Sequence, residues 1–142
     1  MKLRVYWTGK TRLAYAEEGV RRYRKLLAPR RAVEIREFKD DRPLAEALAA
    51  EGDWIALDVG GALWDSERWA AEIGRRERAG TRSLAFVLGG PEGIPPDLLA
   101  RAPVRVSFSP ATFAHDLARV VLLEQLYRAA SILDGLPYHR GG

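Results

Sequence analysis

Two short and almost wholly apolar runs constrain this chain more than anything else. They are Trp54-Ile55-Ala56-Leu57-Asp58-Val59 and Ser83-Leu84-Ala85-Phe86-Val87-Leu88. Each is too short for a buried helix and the right length for a strand. Neither carries the polar alternate residue of a half-exposed strand, so each predicts an inner strand covered on both faces, as in a parallel sheet. Residues 3–8 alternate and are rich in β-formers, which predicts a first strand. Residues 32–38 predict a second, with Val33 and Ile35 on one face, and residues 104–107 the last. Helical signals lie between them. Leu13, Ala16, Val20, Tyr23 and Leu27 recur at helical spacing and predict a helix over 12–28, stopped by Pro29. Pro43 predicts the opening of a short helix through Ala50. Asp65 or Ser66 caps a helix running to Ala79, before Gly80. A short turn is expected over 97–101, and a long helix over 115–133, stopped by Gly135 and Pro137. Strands alternating with helices predict one α/β domain over residues 1–142, with a mainly parallel sheet flanked by helices.

Composition narrows the chemistry. The chain has 142 residues, enough to close a hydrophobic core in one domain. Hydrophobic residues at 47% and charged residues at 30% exclude disorder. Cysteine is absent, which removes disulfides, thiolate metal sites and thiolate nucleophiles. The only histidines are His115 and His139, too few for a metal centre built mainly on imidazole, so no metal is expected. No apolar run is long enough for a membrane-crossing helix, and the first residues carry no apolar leader, so the expected location is the cytoplasm. The net charge of +4 comes mainly from arginine. Clusters such as Arg21-Arg22-Tyr23-Arg24-Lys25 suit phosphate binding by forked guanidinium groups, although a solvated basic surface explains charge alone equally well.

Ligands of parallel sheets sit beyond the carboxyl ends of the strands, which directs attention to the loops after Val59, Leu88 and Ser107. Leu88-Gly89-Gly90-Pro91-Glu92-Gly93 reads either as a cradle of bare backbone or as a tight strand exit. It is neither GxGxxG nor a P-loop, so a phosphate cradle is unsupported. In the last helix, Leu117, Val120, Val121, Leu122, Leu123, Leu126, Ala129, Ala130, Ile132 and Leu133 leave almost no polar face. Such a helix is either central to the core or covered in part by a second copy of the chain in a twofold homodimer. His115 is either a substrate contact or a structural donor at the helix start. The tail Tyr138-His139-Arg140 reads as a solvated end or as a catalytic arm.

An ordered set of motifs now stands on the page: Gly89-Gly90-Pro91-Glu92-Gly93; Ser107-Phe108-Ser109-Pro110-Ala111-Thr112-Phe113-Ala114-His115; the stretch from Arg119 to Ala129; and Tyr138-His139-Arg140. In this the chain resembles the ribosomal RNA large subunit methyltransferase H family, a branch of the SPOUT methyltransferases, over nearly its whole length. The resemblance implies a SPOUT-type sheet with a C-terminal trefoil knot. It also implies an S-adenosylmethionine-dependent enzyme that methylates N3 of a pseudouridine in large-subunit (23S) rRNA on assembled subunits, acting as a homodimer. It places Leu57, Gly89, Phe108, Ser109, Pro110, Ala111, Thr112 and Phe113 at the cofactor. Ala114 stands where members often have proline. We expect His139, or a water it holds, to accept the imide proton, Arg140 to steady the developing anion or a phosphate, and Tyr138 to complete the catalytic tail. Lys10, Arg21, Arg22 and Arg24 are the candidate RNA contacts. Competing readings are a SPOUT-like tRNA methyltransferase, a non-catalytic ribosome-binding module and a nucleotide-binding α/β domain.

Overall fold

Side-chain alternation along the apolar runs decides the layering. The computed structural model describes residues 1–141; Gly142, the end of the expected catalytic tail, lies outside the described residues. The elements are β1 (Lys2–Thr8), α1 (Ala14–Leu27), β2 (Val33–Phe38), α2 (Asp41–Ala49), β3 (Trp54–Leu63), α3 (Ser66–Arg78), β4 (Ser83–Leu88), α4 (Pro96–Leu99), β5 (Val104–Ser107), α5 (His115–Leu133) and α6 (Tyr138–Gly141). The strands form one sheet in the order β2-β1-β4-β3-β5, and every pairing is parallel. Leu3, Val5 and Trp7 of β1, Ile55 and Leu57 of β3, and Leu84, Phe86 and Leu88 of β4 point to one face. There they meet Leu27 of α1, Trp69 and Ile73 of α3, and Leu122, Leu123 and Leu126 of α5. Tyr6, Trp54, Ala56, Ala85 and Val87 point the other way and pack with Leu44 and Leu48 of α2 and Leu98 of α4. Each buried side chain of this size contributes about 1.5–3 kcal/mol, so the inner strands β1, β4 and β3 are worth most to the fold. No described helix is long and apolar enough to cross a membrane.

Several expectations shift. Leu13 is not part of the buried helical stripe: it is the N-cap of α1 and 51% exposed. Pro43 does not open α2. That helix begins at Asp41, and Asp40 caps it by accepting a hydrogen bond from the Arg42 amide at 3.1 Å. Asp65, rather than Ser66, caps α3, through the Arg68 amide at 2.8 Å. β3 does not end before Gly60-Gly61. It runs on to Leu63 and meets β5 twice, at Ile55–Leu57 and again at Ala62–Leu63, with a break in register between. A Cβ on Gly61 would lie 2.6 Å from the Arg105 carbonyl carbon and the Val106 nitrogen. Only a glycine lets the two backbones pass so closely. The long last helix lies against the sheet with α1 and α3 beside it, so most of its apolar girth is covered within the chain. The tail carries a short helix, α6, in place of an irregular end.

At the opposite end of the strands from their exits, Glu51 ties the loop after α2 to β1 and β4. It accepts hydrogen bonds from Arg4 Nη1 at 2.8 Å, the Tyr6 hydroxyl at 2.7 Å and Ser83 Oγ at 3.3 Å. Burial alone would push its carboxyl up, but the Tyr6 and Arg4 hydrogen bonds and the Arg4 charge outweigh that and hold it below the usual carboxylate range. A depressed carboxyl contributes stability above its unfolded pKa and loses it as the pH falls through its folded one. Glu51→Gln should therefore cost about 1–3 kcal/mol at neutral pH. The gap to wild type should narrow as the pH falls below about 4, read by urea denaturation across the acid range.

Candidate active site

The middle of β3, where its register against β5 breaks, and the loops after β4 and β5 close around a cavity of about 330 Å³. Leu57, Gly89, Phe108, Ser109, Ala111, Thr112 and Phe113 line it, as expected; Pro110 does not. Asp58, Val59, Ile94, Val106, His115 and Ala118 also contribute. The walls are apolar and aromatic, with backbone amides and carbonyls of the glycine loop between them. Cavities that bind flat organic ligands have this composition.

Local chemistry fixes each wall. Ser107 Oγ donates to the Ser109 carbonyl at 2.7 Å, and Ser109 Oγ accepts from the Ala111 amide at 2.8 Å. These successive side-chain turns stiffen the loop that presents Phe108 and Phe113. Trp69 stacks on Phe86 at 5.7 Å and on Phe108 at 6.0 Å, and the Phe108 and Phe113 rings lie 6.2 Å apart, so an aromatic column runs from the core to the cavity. The glycine loop doubles back on itself, with the Gly93 amide donating to the Gly90 carbonyl at 2.9 Å. A Cβ on Gly89 would stand 2.3 Å from the Gly93 carbonyl carbon and 2.4 Å from the Ile94 nitrogen. This is a strand exit and a bare-backbone wall at once.

The start of α5 carries two buried charged residues that the helical pattern concealed. Asp116 Oδ2 accepts from the Arg12 amide at 3.0 Å and the Leu13 amide at 2.8 Å. Arg119 donates to the Thr8 carbonyl at 2.8 Å and to Thr11 Oγ1 at 2.9 Å, and its guanidinium lies 4.7 Å from the Trp7 ring centre. Burial would raise the Asp116 carboxyl, yet the two backbone donors and the Arg119 charge hold it below the usual range. Burial also lowers the Arg119 guanidinium from its ordinary value. The available signal was a polar pair at i, i+3 inside an otherwise apolar helix. A charge at such a position must find partners.

Tyr138, His139 and Arg140 do not line the cavity. Tyr138 packs edge-on against Tyr127 at 4.7 Å and under the Arg128 guanidinium at 4.8 Å. Burial, then its hydrogen bond with Tyr23, push the Tyr138 phenol above its ordinary value. His139 Nδ1 lies 3.0 Å from Arg128 Nη1 and Nε2 lies 3.1 Å from Glu67 Oε1. Arginine only donates, so Nδ1 accepts and Nε2 carries the proton given to Glu67. Both ring nitrogens are thus engaged. Arg140 is exposed. Arg128 follows His115 by 13 positions on α5, about 20 Å along the axis.

Of the candidate RNA contacts, Lys10, Arg21 and Arg24 line a second groove of about 600 Å³ beside α1 and β2. Arg22 is exposed outside it. Glu17 and Glu37 share the groove, and Arg21 pairs with Glu18 at 2.6 Å, so its positive charge is partly balanced.

Gly89→Ala should force the loop and the Ile94 segment apart and cost about 1–3 kcal/mol, as overpacking does. A shift of the urea midpoint measures it; an unchanged midpoint would mean the wall yields freely.

Comparison with known proteins bears on this cavity. Residues 1–139 match the family model described as "Predicted SPOUT methyltransferase". The protein of Desulfotalea psychrophila named ribosomal RNA large subunit methyltransferase H is 39% identical, covering 99% of this chain and 100% of that one. Among solved structures, a probable methyltransferase from Bordetella pertussis shares the fold at a TM-score of 0.61 and 15% identity, covering 90% of this chain and 95% of the other. A methyltransferase from Legionella pneumophila, solved with bound SAM, aligns at a TM-score of 0.50 and 11% identity over 92% of this chain and 66% of the other. With a matching family model and so close a relative over its full length, the chain belongs to the SPOUT methyltransferase family.

Proposed function

We propose that this chain is an S-adenosylmethionine-dependent rRNA methyltransferase that modifies N3 of a pseudouridine in the large subunit. The observation that carries the reading is the apolar cavity walled by the bare backbone at Gly89, beside the middle of β3 and beyond the carboxyl ends of β4 and β5. The residues fit the donor: Leu57, Phe108 and Phe113 offer apolar faces for adenine, and the backbone groups around Gly89 and Thr112 offer hydrogen bonds to its edges. When bound, S-adenosylmethionine supplies an electrophilic methyl group. The chain's own work is to orient the nucleotide, exclude water and take up one proton. Orientation of this kind is worth up to ~7–11 kcal/mol. The family's trefoil knot would lie in the C-terminal part of the chain.

The tail supports a shared site. In one chain it rests against Tyr127, Arg128 and Glu67, away from the cavity. A second copy would bring Tyr138, His139 and Arg140 to that cavity, with Arg140 meeting a phosphate or the pyrimidine anion. His139 would become a proton acceptor only by releasing Arg128. Among the described residues, Leu13, Tyr15, Val59, Leu63, Phe113 and Leu117 are the large exposed hydrophobics, and they belong to the starts of α1 and α5, the second half of β3 and the loop after β5. Apolar groups left open in this way mark contact surfaces, which supports a homodimer. Lys10, Arg21 and Arg24, with Arg22 beside them, would hold rRNA phosphates.

Labelled S-adenosylmethionine should methylate large ribosomal subunits lacking this modification, with 3-methylpseudouridine identified by mass spectrometry. Transfer to tRNA in place of subunits would select the tRNA reading, and cofactor binding without transfer the module reading. For the shared site, Arg140→Ala and Thr112→Trp should each reduce turnover at least about 10-fold. Mixing the two variants should restore about a quarter of the sites, because half the copies pair with the other variant and one of each such pair's two sites is intact. Mixing without recovery would place the tail outside the partner's site.

A further inference from the structure

We propose that His115, held by the unengaged oxygen of Asp116, accepts the imide proton during methyl transfer. This rests on the methyltransferase reading above and goes beyond it by naming the proton acceptor.

The geometry is specific. His115 opens α5 and forms part of the cavity wall, with its side chain about a third exposed. Its Nε2 lies 3.6 Å from Asp116 Oδ1. The Asp116 side chain is only 4% exposed, and its Oδ1 is buried without a hydrogen bond among the described residues. Oδ2 is fixed by two backbone amides, so the carboxylate cannot swing round to satisfy Oδ1. Arg119 is spent on Thr8 and Thr11. The remaining neighbour with a proton to give is the His115 ring.

At 3.6 Å the pair is not yet a hydrogen bond, and closing it needs a movement of about 0.5 Å. Catalytic contacts of this kind are commonly long before substrate binds. Closure satisfies a buried carboxylate oxygen that otherwise costs about 1–3 kcal/mol. It also fixes the tautomer: Nε2 carries the proton toward Asp116 and Nδ1 keeps its lone pair. The N3–H bond of the pyrimidine breaks and its proton forms the Nδ1–H bond; the electron pair left on N3 forms the bond to the methyl as the methyl–sulfur bond breaks, its pair staying on sulfur so that S-adenosylhomocysteine leaves. The resulting imidazolium faces the Asp116 carboxylate, which stabilises it. The proton then leaves to water. His139 is less suited, because both of its nitrogens are occupied. The charged groups around His115 are Asp116 and Arg119 on its own helix, Arg12 on the preceding loop and Asp58 across the cavity.

Two measurements test this. The first needs no cofactor: ¹⁵N spectra of the His115 ring in the full-length chain should show the proton on Nε2. In Asp116→Asn the amide oxygen still accepts from Arg12 and Leu13, while its NH2 faces the ring and should move that proton to Nδ1. The second is methylation of large subunits at saturating S-adenosylmethionine. His115→Ala and His115→Gln should lower turnover about 10²–10⁴-fold and abolish the acid limb of the pH profile. Calorimetry should find cofactor affinity within about threefold of wild type. The proposal is overturned if wild type carries the proton on Nδ1, or if either variant turns over within about threefold of wild type. Loss of cofactor affinity in both variants also overturns it, because His115 would then hold the donor. A wild-type chain that binds the cofactor but methylates no RNA overturns the functional reading itself, and with it this one.

Discussion

One buried carboxylate organises the cavity end of this molecule. Asp116 takes two backbone amides from the loop before α1, while Arg119, one turn further along α5, takes a carbonyl and a hydroxyl from the exit of β1. The two residues join segments more than 100 positions apart in the chain. Burying a carboxylate and a guanidinium is expensive unless every lone pair and proton finds a partner. Here nearly all do, with Oδ1 of Asp116 the exception. The first turn of α5 is thereby fixed against β1, and the loop from Ser107 to His115 must close over the strand ends to reach it.

Packing transmits this constraint to the ligand-facing surface. The Trp69 indole touches Phe86 on the sheet and Phe108 on the wall, so the wall is an extension of the core. Core side chains resist displacement because interiors are close-packed. The cavity is accordingly held by rigid elements on two sides and by the glycine loop on the third. Its aromatic faces are positioned before any ligand arrives, which reduces the ordering cost of binding.

Much of this was legible in the sequence, and the failures have physical causes. The strands Trp54–Leu57 and Ser83–Leu88 could be read because inner strands have no polar face, and the α5 bounds because a long apolar period ends at Gly135 and Pro137. The continuation of β3 through Gly60 and Gly61 was hidden. Paired glycines normally signal a turn, whereas here the strand continues and Gly61 permits a close approach of its backbone to β5. Leu13 fitted the helical period yet caps the helix, since period cannot tell a first buried turn from an exposed cap. The strand pattern pointed only to the strand exits; the eight cofactor residues came from the family resemblance, and seven of them line the cavity. Asp116 and Arg119 escaped notice because their partners are remote in sequence. The engagement of His139 by Arg128 and Glu67 is likewise tertiary.

The cavity draws its walls from residues 57–118, and α5 is moored to the segment spanning residues 8–13. During synthesis, then, no partial polypeptide holds a complete pocket until β5 and the first turns of α5 have left the ribosomal exit tunnel and folded back on the earliest residues. A shorter nascent chain has no site at which the cavity's ligand can be held.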